Sequence, residues 1–260
     1  YTAAIAACNI GGNIANCVNT ATISSTNGIA GGIVGHMSGG GLSNCKNLEA
    51  ISGGSNIGGV VGYCAAATAT IDNCVNKAAV TSSSNTVGGI AGYMTGIITN
   101  CYNDAPINGS GTVGGVVGNF AGTSAEISNC ANLADIISSG NAVGGIAGSA
   151  NGKIEKCFNI GAVQGTHYVA GISGNNRANI TDCYNRGNVT GTGGTQIYQA
   201  SGGIAGLGNT ATYTNVYNSG KVAAPFGSGI VGVSNNSIFT INNGYYLAGT
   251  ADQAYLERTA

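Results

Sequence analysis

The chain has 260 residues, of which 47 are glycine and two proline, none is tryptophan, and 7% are charged. A formal net charge of -1 offers no basic surface for nucleic acid and no polybasic run for anionic lipid, and no stretch reaches the roughly 18 apolar residues of a membrane-spanning helix; neither nucleic acid nor membrane insertion is expected. Leu, Phe and Met are too few to fill an irregular core of this size, so small residues must pack by regularity.

Residues 1–13 already carry fragments of a pattern, which predicts a partial N-terminal coil in a segment of a longer chain. Full units run over residues 14–247. Each reads I-x-N-C-x-N-x-[AG]-x-[VI], then a Ser/Gly/Thr-rich link, then [VI]-G-G-[IV]-x-G. The cysteines Cys17, Cys45, Cys74, Cys101, Cys130, Cys157 and Cys183 follow one another at intervals of 28, 29, 27, 29, 27 and 26 residues. Three positions before them stand Ile14, Leu42, Ile71, Ile98, Ile127, Ile154 and Ile180; six after them stand Ile23, Ile51, Val80, Ile107, Ile136, Val163 and Val189. An eighth copy, "TNVYN", has Val216 in the cysteine position, and a degenerate ninth, "INNGYYL", surrounds Gly244. Residues 248–260 read as a tail, the start of a cap or a linker.

Each unit therefore holds three short β-branched segments between turn formers, with no apolar period of 3.6 long enough for a helix. Segments this short cannot bury themselves, but stacked copies form ladders around a narrow core. The prediction is an all-β, right-handed parallel β-solenoid of eight to nine coils, roughly 28 residues and three short strands per coil; at about 4.8 Å per coil it is a rod about 40 Å long.

The invariant small columns fit this geometry. Paired glycines permit either a positive φ at a corner or close approach of the next coil. Asn19, Asn47, Asn76, Asn103, Asn132, Asn159 and Asn185, two positions after each cysteine, suit a left-handed corner and, in register, an amide ladder; a polar ligand groove along the same column is the alternative. "GGIAG" recurs too often to be a phosphate loop, which occurs once, between a strand and a helix.

The combination of "GGIAG" with "ITNCYN" at this period, closed by "GYYL", resembles the GLUG repeat of bacterial surface proteins, from about Ile14 to Leu247. The resemblance implies an extracellular, surface-attached segment of a large adhesin-like chain. It carries no catalytic residues, and the zinc motif H-E-x-x-H of the peptidases found beside such repeats is absent.

One cysteine per coil at one position places neighbours within bridging distance, but parallel side chains point the same way, so a ladder of buried free thiols is expected, with cross-coil bridging as the alternative. Metal or iron–sulfur binding requires clustered spacings that do not occur, and no cofactor is expected. Cys8 and Cys64 lie outside the column. His36 and His167 have no partner in the sequence pattern. Carboxylates do not converge: Asp72 and Glu155 share a column three coils apart, Glu155 and Asp182 are one position out of register, and Lys77 and Asp104 form a surface ion pair. Enzymatic polysaccharide cleavage is thus the least favoured reading.

The residue after the column cysteine is aromatic at Tyr102, Phe158, Tyr184, Tyr217 and Tyr245. Strand parity turns these outward, where they either bind sugar rings or a protein partner, or stack on one another or under the long link 191–200. The functional expectation is a non-catalytic spacer of a bacterial cell-surface protein, with a glycan- or mucin-binding aromatic strip as the alternative. Open solenoid ends predict flanking domains or end-to-end self-association; a glycan or a host surface protein is the further partner.

Overall fold

The structure, a computed structural model, describes residues 1–83, 85–193, 196, 199–234 and 238–256. They form a parallel β-solenoid of about 8 turns. In the coil around Cys101 the strands are Ile97–Thr99, Tyr102–Asn103, Ile107–Gly109, Thr112–Gly114 and Val117–Phe120. The three predicted segments are all present; the Asn-Cys step interrupts the first, and the Gly-Gly step divides the third between two sheets. Register follows the sequence columns, with Ile71 opposite Ile98, Ile98 opposite Ile127, and Asn76 opposite Asn103.

The interruption has a backbone cause that differs from expectation. The left-handed residue is the one before the cysteine: Asn16, Asn44, Asn73, Asn100, Asn129, Lys156, Asp182, Asn215 and Asn243 have φ between 48° and 57°. The column from Asn19 to Asn185 lies in strands instead. Asparagine tolerates the left-handed region because its short amide bonds locally, which explains seven of those nine choices. Asn73 and Asn243 also donate to Asn44 and Asn215 in the preceding coil, at 2.7 and 3.1 Å.

The predicted amide ladder is present and buried. Nδ2 of each asparagine donates to Oδ1 of the next, from Asn19 through Asn47, Asn76, Asn103, Asn132, Asn159 and Asn185 to Asn218, at 2.7–2.8 Å. From Asn76 onward the second N–H reaches the carbonyl two residues on, as in Asn103 to Ala105 at 2.8 Å. Asn47 to Asn218 are fully buried, so the column is no ligand groove. Tyr246 stands opposite Asn218 and ends the ladder.

The Gly-Gly step faces this ladder. Its glycines have ordinary φ; what requires glycine is proximity. A Cβ on Gly115 would lie 2.1 Å from the Gly145 carbonyl oxygen and 2.5 Å from Cγ of Asn132. Each coil is therefore pinched where Gly-Gly meets asparagine, and the core divides in two. Ile71, Cys74, Ile90 and Met94 belong to the larger lobe; Val80 and Val87 belong to the smaller.

A second close approach lies outside the pinch. A Cβ on Gly118 would stand 2.7 Å from both the Gly92 carbonyl oxygen and the Val87 amide nitrogen. The strands on either side of the Gly-Gly step thus fold toward each other over the outer surface and leave a crease along the rod.

The cysteine column is a ladder of free thiols, buried from Cys45 to Cys183; Cys17 is half-buried and Cys8 exposed. Each column thiol donates to the carbonyl two residues back, at 3.0–3.4 Å. The amide of Cys101 donates to Sγ of Cys130 at 3.4 Å, and that of Cys157 to Sγ of Cys183 at 3.3 Å. Burial, aided by neighbouring sulfurs, pushes the Cys101 and Cys157 thiols well above the ordinary range. Val216, fully buried in the same column, fills the position without a thiol. Cys64 is buried one face away, opposite Met37 and Met94. Because a reagent must reach the sulfur before it can react, a thiol reagent at neutral pH should modify the exposed Cys8 quickly and the half-buried Cys17 slowly. It should reach the other seven only after denaturation; mass-spectrometric mapping checks this, and rapid native labelling of Cys130 would contradict the buried column.

Candidate functional site

Two columns of in-register aromatic side chains reach the surface among the described residues, on different sheets. The first is the predicted column after the cysteines. Phe158, Tyr184, Tyr217 and Tyr245 are in register in consecutive coils. Phe158 and Tyr184 stack with centroids 5.0 Å apart and planes 2° from parallel. Exposure rises along the column, from 37% at Tyr184 through 41% at Tyr217 to 63% at Tyr245. Tyr102 stands apart, because Ala131 occupies the intervening rung; a hollow of about 280 Å³ lies between Tyr102 and Phe158.

The second surface borders the crease. The residue in the middle of the strand after Gly-Gly forms a column that begins Cys8, His36, Tyr63, Tyr93, Asn119 and Ser149. His36 lies between Tyr1 and Tyr63, with centroids 4.6 and 5.4 Å away, and Tyr63 stacks on Tyr93 at 4.7 Å. Burial and the Tyr63 hydroxyl beside it push the Tyr93 phenol above its ordinary range. The stack stops at Tyr93, since the next rung is Asn119. Across the crease, the link corners supply Asn56, Asn85 and Asn141 in a groove of about 820 Å³ shared with Tyr63, Tyr93 and Asn119. Ser and Thr hydroxyls complete its lining, which contains no charged residue among those described.

Both histidines acquire partners that the sequence pattern did not show. Besides its ring neighbours, His36 has Ser38 Oγ 3.2 Å from Nδ1 and Cys8 Sγ at 3.7 Å. His167 pairs through Nδ1 with Asn141 Oδ1 and through Nε2 with Gln199 at 2.6 Å, which ties the long link to the rod. Residues 194, 195, 197 and 198 of that link, which bear on its expected packing over the aromatic column, lie outside the described residues.

The acidic groups that pair are on the surface, and Glu126 and Glu155 lie in neighbouring coils around Lys153. Lys77 and Asp104 pair at 3.6 Å on the surface, an interaction worth about 0–1 kcal/mol. Glu155 is paired with Lys153 and with Lys156, the latter at 3.2 Å, and these two ammonium groups hold its carboxyl below the usual range. Glycoside hydrolysis needs a carboxylate pair about 5–9.5 Å apart across a cleft; among the described residues none of those lining the crease groove carries a carboxylate. Among the described residues no group of three His, Cys, Asp or Glu side chains is placed to hold a metal ion, and no helix is long and apolar enough to cross a membrane.

What distinguishes the molecule is thus a regular scaffold with aromatic and amide surfaces. Compared with protein-family models, curated proteins and solved structures, the chain matches none.

The column reading that singles out Tyr102 and Tyr184 also places His36, Tyr63 and Tyr93 in one column. That signal was available in the sequence. What was not available is that Asn56, Asn85 and Asn141, which belong to links, face this column across the crease.

Proposed function

We propose that the chain is a non-catalytic structural module of a large bacterial cell-surface protein, a stiff spacer that holds other segments at a fixed distance. The observation that carries this reading is the buried asparagine ladder, continuous from Asn19 to Asn218. Bending the rod would open amide bonds with no water beside them, so the ladder resists bending as well as slippage between coils. Low charge also suits a passive spacer, and the likeness of "GGIAG" and "ITNCYN" to GLUG repeats supports an extracellular setting.

Brief protease treatment of intact producing cells should release peptides of this chain, and the purified chain should release no reducing ends from a polysaccharide panel. Recovery of the peptides from lysed cells alone, or cleavage that survives repurification, would refute the proposal.

A second reading, glycan or mucin binding along Phe158, Tyr184, Tyr217 and Tyr245, is favoured by the rise in exposure along that column. On a glycan and mucin array, binding should then fall in the Tyr184→Ala/Tyr217→Ala double variant.

A further inference from the structure

We infer that the crease between the two strands flanking the Gly-Gly step is a binding groove for a neutral, extended glycan, with the face of Tyr93 turned away from Tyr63 as its stacking platform. This inference does not depend on the spacer reading, and the site lies on a different face from the Tyr184 column.

The groove is a consequence of the repeat. Gly62, Gly92 and Gly118 let the strand after Gly-Gly lie against backbone of the strand before it, so every coil contributes one notch and the notches align. Its length follows from the corners it spans. Asn56, Asn85, Gly111 and Asn141 come from four successive links, and three intervals of about 4.8 Å give about 14 Å along the axis, the reach of a short oligosaccharide.

The lining selects the ligand class. Tyr63 covers one face of Tyr93 at 4.7 Å, whereas the other face looks toward Asn119 and then Ser149, whose side chains are too small to continue the stack. An aromatic face carries partial negative charge and attracts the slightly positive C–H groups on the flat side of a pyranose ring. Around it, the side-chain amides of Asn85 and Asn119 can each donate and accept, as sugar hydroxyls require; Asn56 Oδ1 already accepts from Thr86 Oγ1 and Asn141 Oδ1 is paired with His167 Nδ1, so these two offer chiefly their N–H groups. Among the described residues no lysine, arginine, aspartate or glutamate lines the groove, so a uronic-acid or sulfated chain would lose its hydration without gaining an opposite charge. Amides and hydroxyls with one stacking surface and no charge fit a neutral polysaccharide better than an acidic one. The volume of about 820 Å³ falls in the range of ordinary small-ligand sites.

The test is titration calorimetry on the whole chain with neutral hexasaccharides (β-glucan, xylan and mannan series) and with anionic oligogalacturonate. At least one neutral series should bind, with affinity unchanged between low and high salt because no ion pair forms. Tyr93→Ala should weaken binding about tenfold, the scale of one stacking contact. Thr112→Arg, which fills the groove without touching the stack, should abolish it, and Tyr184→Ala/Tyr217→Ala should leave it unchanged. Circular dichroism confirms folding; if Tyr93→Ala fails to fold, Thr112→Arg carries the test. The proposal is overturned if no neutral series binds, if only the anionic chain binds, if Thr112→Arg binds normally, or if the loss appears in the Tyr184→Ala/Tyr217→Ala variant instead.

Discussion

Replacing Gly115 by alanine should destabilise the rod by about 3 kcal/mol or more, at the upper end of overpacking effects. The added methyl would stand 2.1 Å from the Gly145 carbonyl oxygen and 2.5 Å from Cγ of Asn132. Neither can withdraw cheaply. The oxygen belongs to the next coil, and Asn132 is held from both sides by the ladder. Relief requires adjacent coils to separate, which breaks backbone bonds such as Gly115 N–H to Gly144 O at 3.1 Å. Gly249→Ala provides the contrast, because its φ is +81° but nothing lies within 4 Å of the added carbon; about 1–2 kcal/mol is expected there, from backbone strain alone. Urea unfolding compares the two. A Gly115→Ala cost below that of Gly249→Ala would mean that the pinch is softer than its distances imply.

The second large effect is expected at the ladder itself. Asn132 accepts from Asn103 at 2.8 Å and donates to Asn159 at 2.7 Å and to the Ala134 carbonyl at 2.7 Å. Asn132→Ala leaves two buried amide groups, on Asn103 and Asn159, without their ladder partner and frees the half-buried Ala134 carbonyl; at about 1–3 kcal/mol for each buried group, a loss of about 2–5 kcal/mol is expected after local relaxation. Asn19→Ala should cost less, since Asn19 has one ladder neighbour and lies in the first complete coil.

Asn132→Asp should behave differently with pH. Burial would raise the folded-state pKa of the new carboxyl above its unfolded value near 3.9. Its acid form can still donate one bond, so the deficit should be smallest below that unfolded value and grow as pH rises toward the folded pKa. Unfolding midpoints at acidic and neutral pH check both substitutions. A pH-independent deficit in Asn132→Asp, or a harmless Asn132→Ala, would show that the ladder contributes little.

These predictions rest on one relation between two motifs that are distant in the sequence of each unit. In the coil of Cys130, Asn132 meets Gly115 of the preceding Gly-Gly step, so each column constrains the other. The seam also separates the two lobes of the core, and this lets mostly short side chains fill them; Phe120 and Tyr213, fully buried in the larger lobe, are aromatic exceptions. Tyr246 against Gly229, where a Cβ would lie 2.3 Å from its ring, shows how the arrangement changes once asparagine is lost.

The repeat, its period and its register were determined by the sequence alone, because in a stacked parallel array residues of one column must become neighbours. The columns of Cys101, Asn103 and Ile107 accordingly predicted the buried thiols, the amide ladder and the inner faces. Strand parity likewise turned Tyr184, Tyr217 and Tyr245 outward. The tertiary structure alone decided which asparagine takes the left-handed backbone. Asn100 and Asn103 are chemically identical, and only the path of the strand distinguishes the interruption from the inward rung. It also supplied the partners of His36 and His167 and the crease beside Tyr93. Those features arise where non-equivalent strands of a coil approach one another, and a column pattern records what stacks along the rod but not what meets across it.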